Sequence, residues 1–464
     1  MSPAGLEIVR SSFRDPAGFV FRINGALYRQ VNRLFADEFD ACMTAGLYED
    51  LIANRLLVRH RMAGLEHAAT PDAHAVLEPT PIDFVSYPYE WTFGQLKDAA
   101  LLTLDVQAHA LARGFVLRDA TAYNVQFIDG RPIFIDTLSF SRYREGDPWA
   151  AYKQFAEHFL APLALMSAVD VRCGRLQREY LDGIPLDLAS GLLPKRTWLR
   201  PGLLFHVHLH ARAMKRYASA RVQAVAGSRR MTGRALRGLI GSLRDTVAGL
   251  EWRPTGTAWA EYATEHRYSD RALSAKRRLV REYLRSVGPR TVWDLGANTG
   301  AFTDVAREVA PSVVSFDADP AAVERHYRRV RDTGQTGILP LLLDLTNPSP
   351  AIGWGHDERP SLEARGPADA VLALALLHHL AIANNVPLSR VAEALARLGR
   401  HLVIEFVPKS DDQVQRLLRN RADIFPNYTP AAFERAFETH FEILARQRLD
   451  DSERWLYLMR AHSV

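Results

Sequence analysis

Along the second half of the chain, short apolar runs alternate with segments in which apolar residues recur every three or four positions. The runs TVWDL (291–295), SVVSFD (312–317), ILPLLL (338–343), ADAVLALAL (368–376) and HLVIEFV (401–407) read as strands, being short, continuous and apolar. Between them AFTDVAREVA, PAAVERHYRRV and PLSRVAEALARLG carry the helical period. Alternation of this kind predicts an α/β fold, a parallel sheet covered by helices on both faces. FEILARQ and RWLYLMR, separated by a short polar stretch near the end, predict an antiparallel hairpin at the sheet edge.

The first part of the chain has a different texture. Strand-like GFVFRI, NVQFI and PIFID are mixed with the long helical pattern FGQLKDAALLTLDVQAHALARG, which predicts an α+β arrangement. GLLFHVHLHARAMKRYASARVQAVA and RALRGLIGSLRDTVAGL then read as a helical bridge. The 464 residues are too many for one ordinary domain, and three regions are expected: 1–187, a connector over 188–254, and 255–464. No internal repeat or low-complexity tract interrupts them.

Composition narrows the class. With 47% hydrophobic and 24% charged residues the chain is globular throughout. Its first residues hold acids and prolines where a signal peptide needs a basic start and an apolar run, and nowhere do eighteen apolar residues follow one another. A soluble, cytoplasmic protein is expected. Cys42 and Cys173 stand alone, which excludes a disulfide framework or a zinc site within one chain, so no metal site is expected. The net charge of +5 is unevenly spread: from Leu188 to Arg244 there is no Asp or Glu, against twelve Lys and Arg. Such a field suits nucleic acid, an anionic lipid surface or a phosphorylated substrate; a solvated helical connector has the same composition.

Candidate chemistry concentrates at strand ends. In TVWDLGANTGAF, Asp294 closes a strand and is followed by Gly296, Asn298 and Gly300 in a loop leading to a helix. The G-x-x-x-G spacing lacks the room that dinucleotide sites make for a pyrophosphate, and a carboxylate ahead of the loop would repel phosphate and attract an ammonium. Asp317 closes the next strand, where an acid can take both hydroxyls of a ribose, and Asp344 ends the third. Three acids in this register suit a ligand with an amino acid, a ribose and an amino-bearing base. S-adenosylmethionine has those parts.

On these motifs the region from about residue 260 onward resembles a class I S-adenosylmethionine-dependent methyltransferase: VWDLGANTG corresponds to the first motif, VVSFDAD to the second and LLLD to the third. More narrowly, LLLDLTNPSPAIGW, LALLHHL and IEFVPKSDDQVQRLL are similar to bacterial methyltransferases related to the nodulation protein NoeA. The resemblance implies a Rossmann-like seven-stranded sheet with one reversed strand. It also implies that Asp294 and the Gly296–Asn298–Gly300 loop hold the methionine part, Asp317 the ribose and Asp344 the adenine amino group, with Leu345 against the ring. His378 and His379, directly after the fourth strand, and Glu405, at the end of the fifth, are candidates for taking a proton from a small-molecule or protein acceptor. Each is equally a packed residue on sequence alone. Trp354 reads either as a cover for the adenine or as a core anchor. The asparagine-proline-proline-tyrosine type of motif used on exocyclic base amines is absent after the fourth strand, which argues against base methylation.

In the first region, GFVLRDATAYNVQFIDGRPIFIDTLSF (114–140) spaces Asp119 and Asn124 as in a kinase catalytic loop and delivers Asp136 from a hairpin. Residues 15–185 therefore resemble a protein-kinase-like or small-molecule phosphotransferase fold, in which Asp119 would orient a hydroxyl while Asn124 and Asp136 hold Mg-ATP. The departures are a missing glycine-rich loop, Leu117 in the catalytic-loop histidine position, Thr and Leu after Asp136, and Lys97 as the first lysine of the chain. Arg29 is the candidate substitute for the missing lysine. A degenerate domain that recognises or regulates the acceptor fits these departures better than active phosphotransfer.

Overall fold

In the computed structural model, residues 5–219, 231–254, 270–419 and 421–462 are described. They divide into two units: Met1–Arg253 with Gly353–Arg359, and Pro254–Ile352 with Pro360–Val464.

The first unit opens with β1 (Leu6–Ile8), β2 (Gly18–Ile23), β3 (Ala26–Asn32), β4 (His60–Ala63) and β5 (Ala73–Pro79), an antiparallel sheet in the order β1-β2-β3-β5-β4. The long helix Phe93–Ala112 follows, its start fixed by a capping box in which Thr92 and Gln95 satisfy each other's backbone N–H groups. Beyond it, β6 (Phe115–Leu117) pairs with β9 (Phe140–Arg142), and β7 (Val125–Ile128) with β8 (Arg131–Phe134).

The connector expected over 188–254 clusters with this first unit as far as Arg253. The reason is amphipathic: Gly233–Ala248 buries Leu236, Ile240, Leu243 and Val247 at helical spacing, while Lys97 Nζ donates to the Ala248 and Leu250 carbonyls at 2.7 and 2.8 Å. Lys97 thus closes a helix end, where a cation is favoured. Of the two cysteines, Cys42 is buried and Cys173 half-buried.

The second unit is built on β10 (Thr291–Leu295), β11 (Ser312–Asp317), β12 (Ile338–Leu342), β13 (Ala368–Ala373), β14 (Gly399–Phe406), β15 (Phe441–Arg448) and β16 (Trp455–Ala461). They form one seven-stranded sheet in the order β12-β11-β10-β13-β14-β16-β15. β10 to β14 pair in parallel, and β16 runs antiparallel to both β14 and β15. The terminal hairpin therefore inserts its last strand next to β14. Core side chains such as Val292, Val313, Ala370, Leu372 and Val403 pack beneath Leu279, Val280, Tyr283 and Leu284 of the helix Asp270–Val287.

The chain runs outward from β10 to β12 and then returns to β13 on the other side of β10. That reversal opens a crevice beyond the carboxyl ends of β10 and its neighbours, the place where such sheets bind ligands.

Candidate functional site

A cavity of about 1100 Å3 occupies this crevice, and Asp294, Gly296, Asn298, Asp317, Asp344 and Leu345 all line it. Local backbone geometry explains the glycine loop. Gly296, Asn298 and Gly300 have φ of +77°, +50° and +88°, a left-handed region that glycine enters without cost and asparagine more readily than other residues. Gly300 is also required by space, since a Cβ there would lie 2.2 Å from the His326 ring; it shapes the loop and does not line the cavity. His326 is buried and held neutral, its pKa lowered to about 3 by desolvation.

Asp294 is 2% exposed and accepts a hydrogen bond from the Thr303 hydroxyl at 2.7 Å. Burial raises its pKa to about 6, against which the Thr303 bond acts. Asp317 accepts from the Asn298 N–H at 2.8 Å and the Asp319 N–H at 2.9 Å, so the second strand end is tied to the glycine loop. Burial again pushes its carboxyl upward. Asp344 Oδ1 accepts from the backbone and hydroxyl of Thr346, at 2.9 and 2.6 Å. Nearby, Asn298 Oδ1 is buried with no partner among the described residues, an acceptor in the cavity wall that a ligand donor would satisfy. These residues fit a ligand carrying an ammonium, a ribose and an amino-bearing ring.

The proton-taking candidates fare differently. His379 lines the cavity, with burial lowering its pKa to about 4, so it is neutral near pH 7. His378, expected on the rim, does not line the cavity: it is 1% exposed, and its ring lies 4.1 Å from that of His379 between centroids, tilted by 39°. The turn explains it. Ala375 takes a left-handed φ of +50° and a π-helical turn begins at His379, which sends His378 inward.

Glu405 is also absent from the cavity wall and fully buried. It accepts from Lys276 Nζ and from the strained Ala375 N–H, each at 2.7 Å, and Arg454 stands 3.5 Å from its other oxygen. A carboxylate so engaged holds structure in place and is no rim base. Lys276, which sequence reasoning missed, lines the cavity from the helix Asp270–Val287 and sits 4.6 Å over the Phe302 ring. The only trace of it in the sequence is a lysine on the apolar side of an amphipathic helix. Trp354 is no core anchor: it is 77% exposed.

In the first unit, Asp119, Asn124 and Asp136 come together. Burial, with Asp136 adding to it, raises the pKa of Asp119, while Asn124 and Gln154 lower it by hydrogen bonding. Asn124 Nδ2 donates to Ser139 Oγ at 3.3 Å, and Ser139 donates to Asp136. Arg29, from β3, pairs with Asp136 at 2.5 Å with both side chains largely buried. The carboxylate expected to face magnesium is thus paired with a cation, and would have to give up that pair to take Mg-ATP.

The basic stretch is only partly described: Arg221, Arg229 and Arg230 lie outside the described residues. Among the described residues no helix is long and apolar enough to cross a membrane.

No family model matches the chain. Over 461 residues, 97% of this chain and 95% of the relative, it is 38% identical to the nodulation protein NoeA of Rhizobium meliloti (strain 1021). Among solved structures, the N-methyltransferase NodS from Bradyrhizobium japonicum WM9 is 13% identical, covering 42% of this chain and 99% of that one with a TM-score of 0.31. The magnesium protoporphyrin IX methyltransferase ChlM from Synechocystis PCC 6803, with bound S-adenosylhomocysteine, is 16% identical, covering 41% and 84% with a TM-score of 0.30.

Proposed function

Because the chain belongs to the family of the nodulation protein NoeA, we propose that it is a cytoplasmic methyltransferase that uses S-adenosylmethionine bound by its second unit. The observation that carries this reading is the convergence of Asp294, Asp317 and Asp344, from three successive strand ends, on one cavity with the glycine loop between the first two.

When bound, the donor supplies a methyl group already activated on a sulfonium. In this reading Asp294 holds the ammonium of the donor's amino acid, Asp317 the ribose hydroxyls and Asp344 the adenine amino group, with Leu345 against the ring; all four line the cavity. Of His378, His379 and Glu405, neutral His379 alone lines the cavity wall, and its lowered pKa makes it a weak base. Alignment of the acceptor is then the chain's main contribution. Glu405, Lys276 and Arg454 fix the Ala375 turn that carries His379. Calorimetry with S-adenosylhomocysteine tests the reading: micromolar binding that Asp294→Ala and Asp317→Ala each weaken supports it, and silence in the intact chain defeats it.

For the first unit, the Arg29–Asp136 pair favours a kinase-derived domain that recognises or regulates the acceptor rather than one that transfers phosphate. Wild type should give no Mg-ATP signal by thermal shift. An ATP response that needs magnesium and disappears in Asp136→Ala would instead establish a second activity.

A further inference from the structure

The basic stretch of the first unit carries an exposed surface to which the proposed function assigns no role. Its inner positions are apolar and buried, among them Leu203, Val207 and Ala211. Its outer positions include large apolar side chains: Leu199 is 85% exposed, Phe205 60%, Leu192 47% and Leu209 38%.

These four are borne by elements fastened to one another. Buried His208, in the π-helical segment Leu204–Leu209, has Ser190 Oγ at 2.8 Å from Nδ1 and Thr197 Oγ1 at 2.9 Å from Nε2. It thereby ties the helix Leu186–Leu192 and the turn Lys195–Leu199 to its own segment. Trp198 stacks on His208 with centroids 4.3 Å apart, and the Arg212 guanidinium lies 4.3 Å over the Trp198 ring. Phe205, Leu209 and Arg212 follow at helical spacing, so they lie on one side of the helical run 201–219.

Charge completes the pattern. Lys195, Arg196, Arg200 and Arg212 are exposed, and no acidic residue occurs between Leu188 and Arg244 to offset them. Asp187, just before the stretch, is paired with Lys215 at 3.5 Å. Exposed leucine and phenylalanine beside unopposed arginines would gain little on a duplex, where contact is chiefly to hydrated phosphates. A bilayer interface accepts both, taking the apolar tips among the acyl chains and the cations at phosphate headgroups.

We propose that Leu199, Phe205 and Leu209, with Lys195, Arg200 and Arg212, form a docking surface for an anionic lipid bilayer, on which the protein lies without spanning it. The surface belongs to the first unit, so the proposal stands or falls independently of donor binding.

Flotation of the full chain with vesicles tests it. Wild type should float with phosphatidylcholine vesicles containing about 30% phosphatidylglycerol at about 50 mM salt, stay behind with phosphatidylcholine alone, and bind less at about 300 mM salt. Leu199→Glu/Phe205→Glu should lower partitioning roughly tenfold or more, whereas Leu34→Glu, at a position 74% exposed elsewhere in the unit, should not. Both altered positions are exposed, so the circular-dichroism melt should match wild type; the milder Leu199→Gln/Phe205→Gln serves if it does not. Equal partitioning of wild type and the folded double variant, or no flotation at low salt, overturns the proposal. Tighter binding to a DNA duplex than to the anionic vesicles does so too, pointing to nucleic acid.

Discussion

Replacing Lys276 by methionine tests the role given to the buried Lys276–Glu405 pair beside the cavity. The ammonium lies 2.7 Å from Glu405 Oε2, with the two side chains 2% and 0% exposed, so the pair is almost wholly buried. Methionine nearly conserves volume, so little of the effect comes from packing. What remains is a buried carboxylate that has lost its nearest cation, which typically costs about 3–5 kcal/mol. Arg454, at 3.5 Å from the other oxygen, and the Ala375 N–H still support Glu405, which places the expected loss near the lower figure of about 3 kcal/mol. With a urea dependence of about 2 kcal/mol per molar, the unfolding midpoint of the second unit should fall by about 1.5 M. Lys276→Met/Glu405→Gln should recover much of this, giving a coupling energy of about 2 kcal/mol in a double-mutant cycle. If the single variant moves the midpoint by less than about 0.3 M, or the two changes simply add, the pair does not hold the Ala375 turn as described.

Gly300→Ala combines a left-handed φ of +88° with a Cβ 2.2 Å from the His326 ring. It should cost about 2–3 kcal/mol and abolish S-adenosylhomocysteine binding; a variant with wild-type melting and affinity contradicts the stated geometry. Asp294, with a pKa raised to about 6, binds its proton more tightly folded than unfolded. Its burial penalty is therefore absent below about pH 4, where both states are protonated, and grows as pH rises to about 6, reaching at most about 3 kcal/mol above that. Relative to Asp294→Asn, ligand-free wild type should lose stability across this window in urea titrations; parallel curves exclude the shift. In the same window, binding of S-adenosylhomocysteine should strengthen with pH as Asp294 ionises, and Asp294→Asn should flatten that dependence.

The element pattern was legible in the sequence because it depends on local periodicity. Runs such as TVWDL and SVVSFD coincide with β10 and β11, whose length and apolar character follow from burial on both faces. That Asp294, Asp317 and Asp344 share a cavity was legible for a related reason: a parallel sheet brings strand ends to one edge, so acids closing consecutive strands share a crevice. Tertiary structure decided what distant segments do to one another. Lys276 and Glu405 are 129 positions apart, and only the packing of helix Asp270–Val287 near the end of β14 makes them a pair. The inward turn of His378 depends on the backbone at Ala375, which Glu405 holds from another strand. Arg29 likewise meets Asp136 across more than a hundred residues, turning a metal ligand suggested by spacing into one half of an ion pair. Periodicity and strand-end position are properties of neighbouring residues, and a sequence states them directly. The partner of a buried charge is chosen by whichever opposite charge folding brings within reach, because an unpaired ion in the interior is too costly to keep.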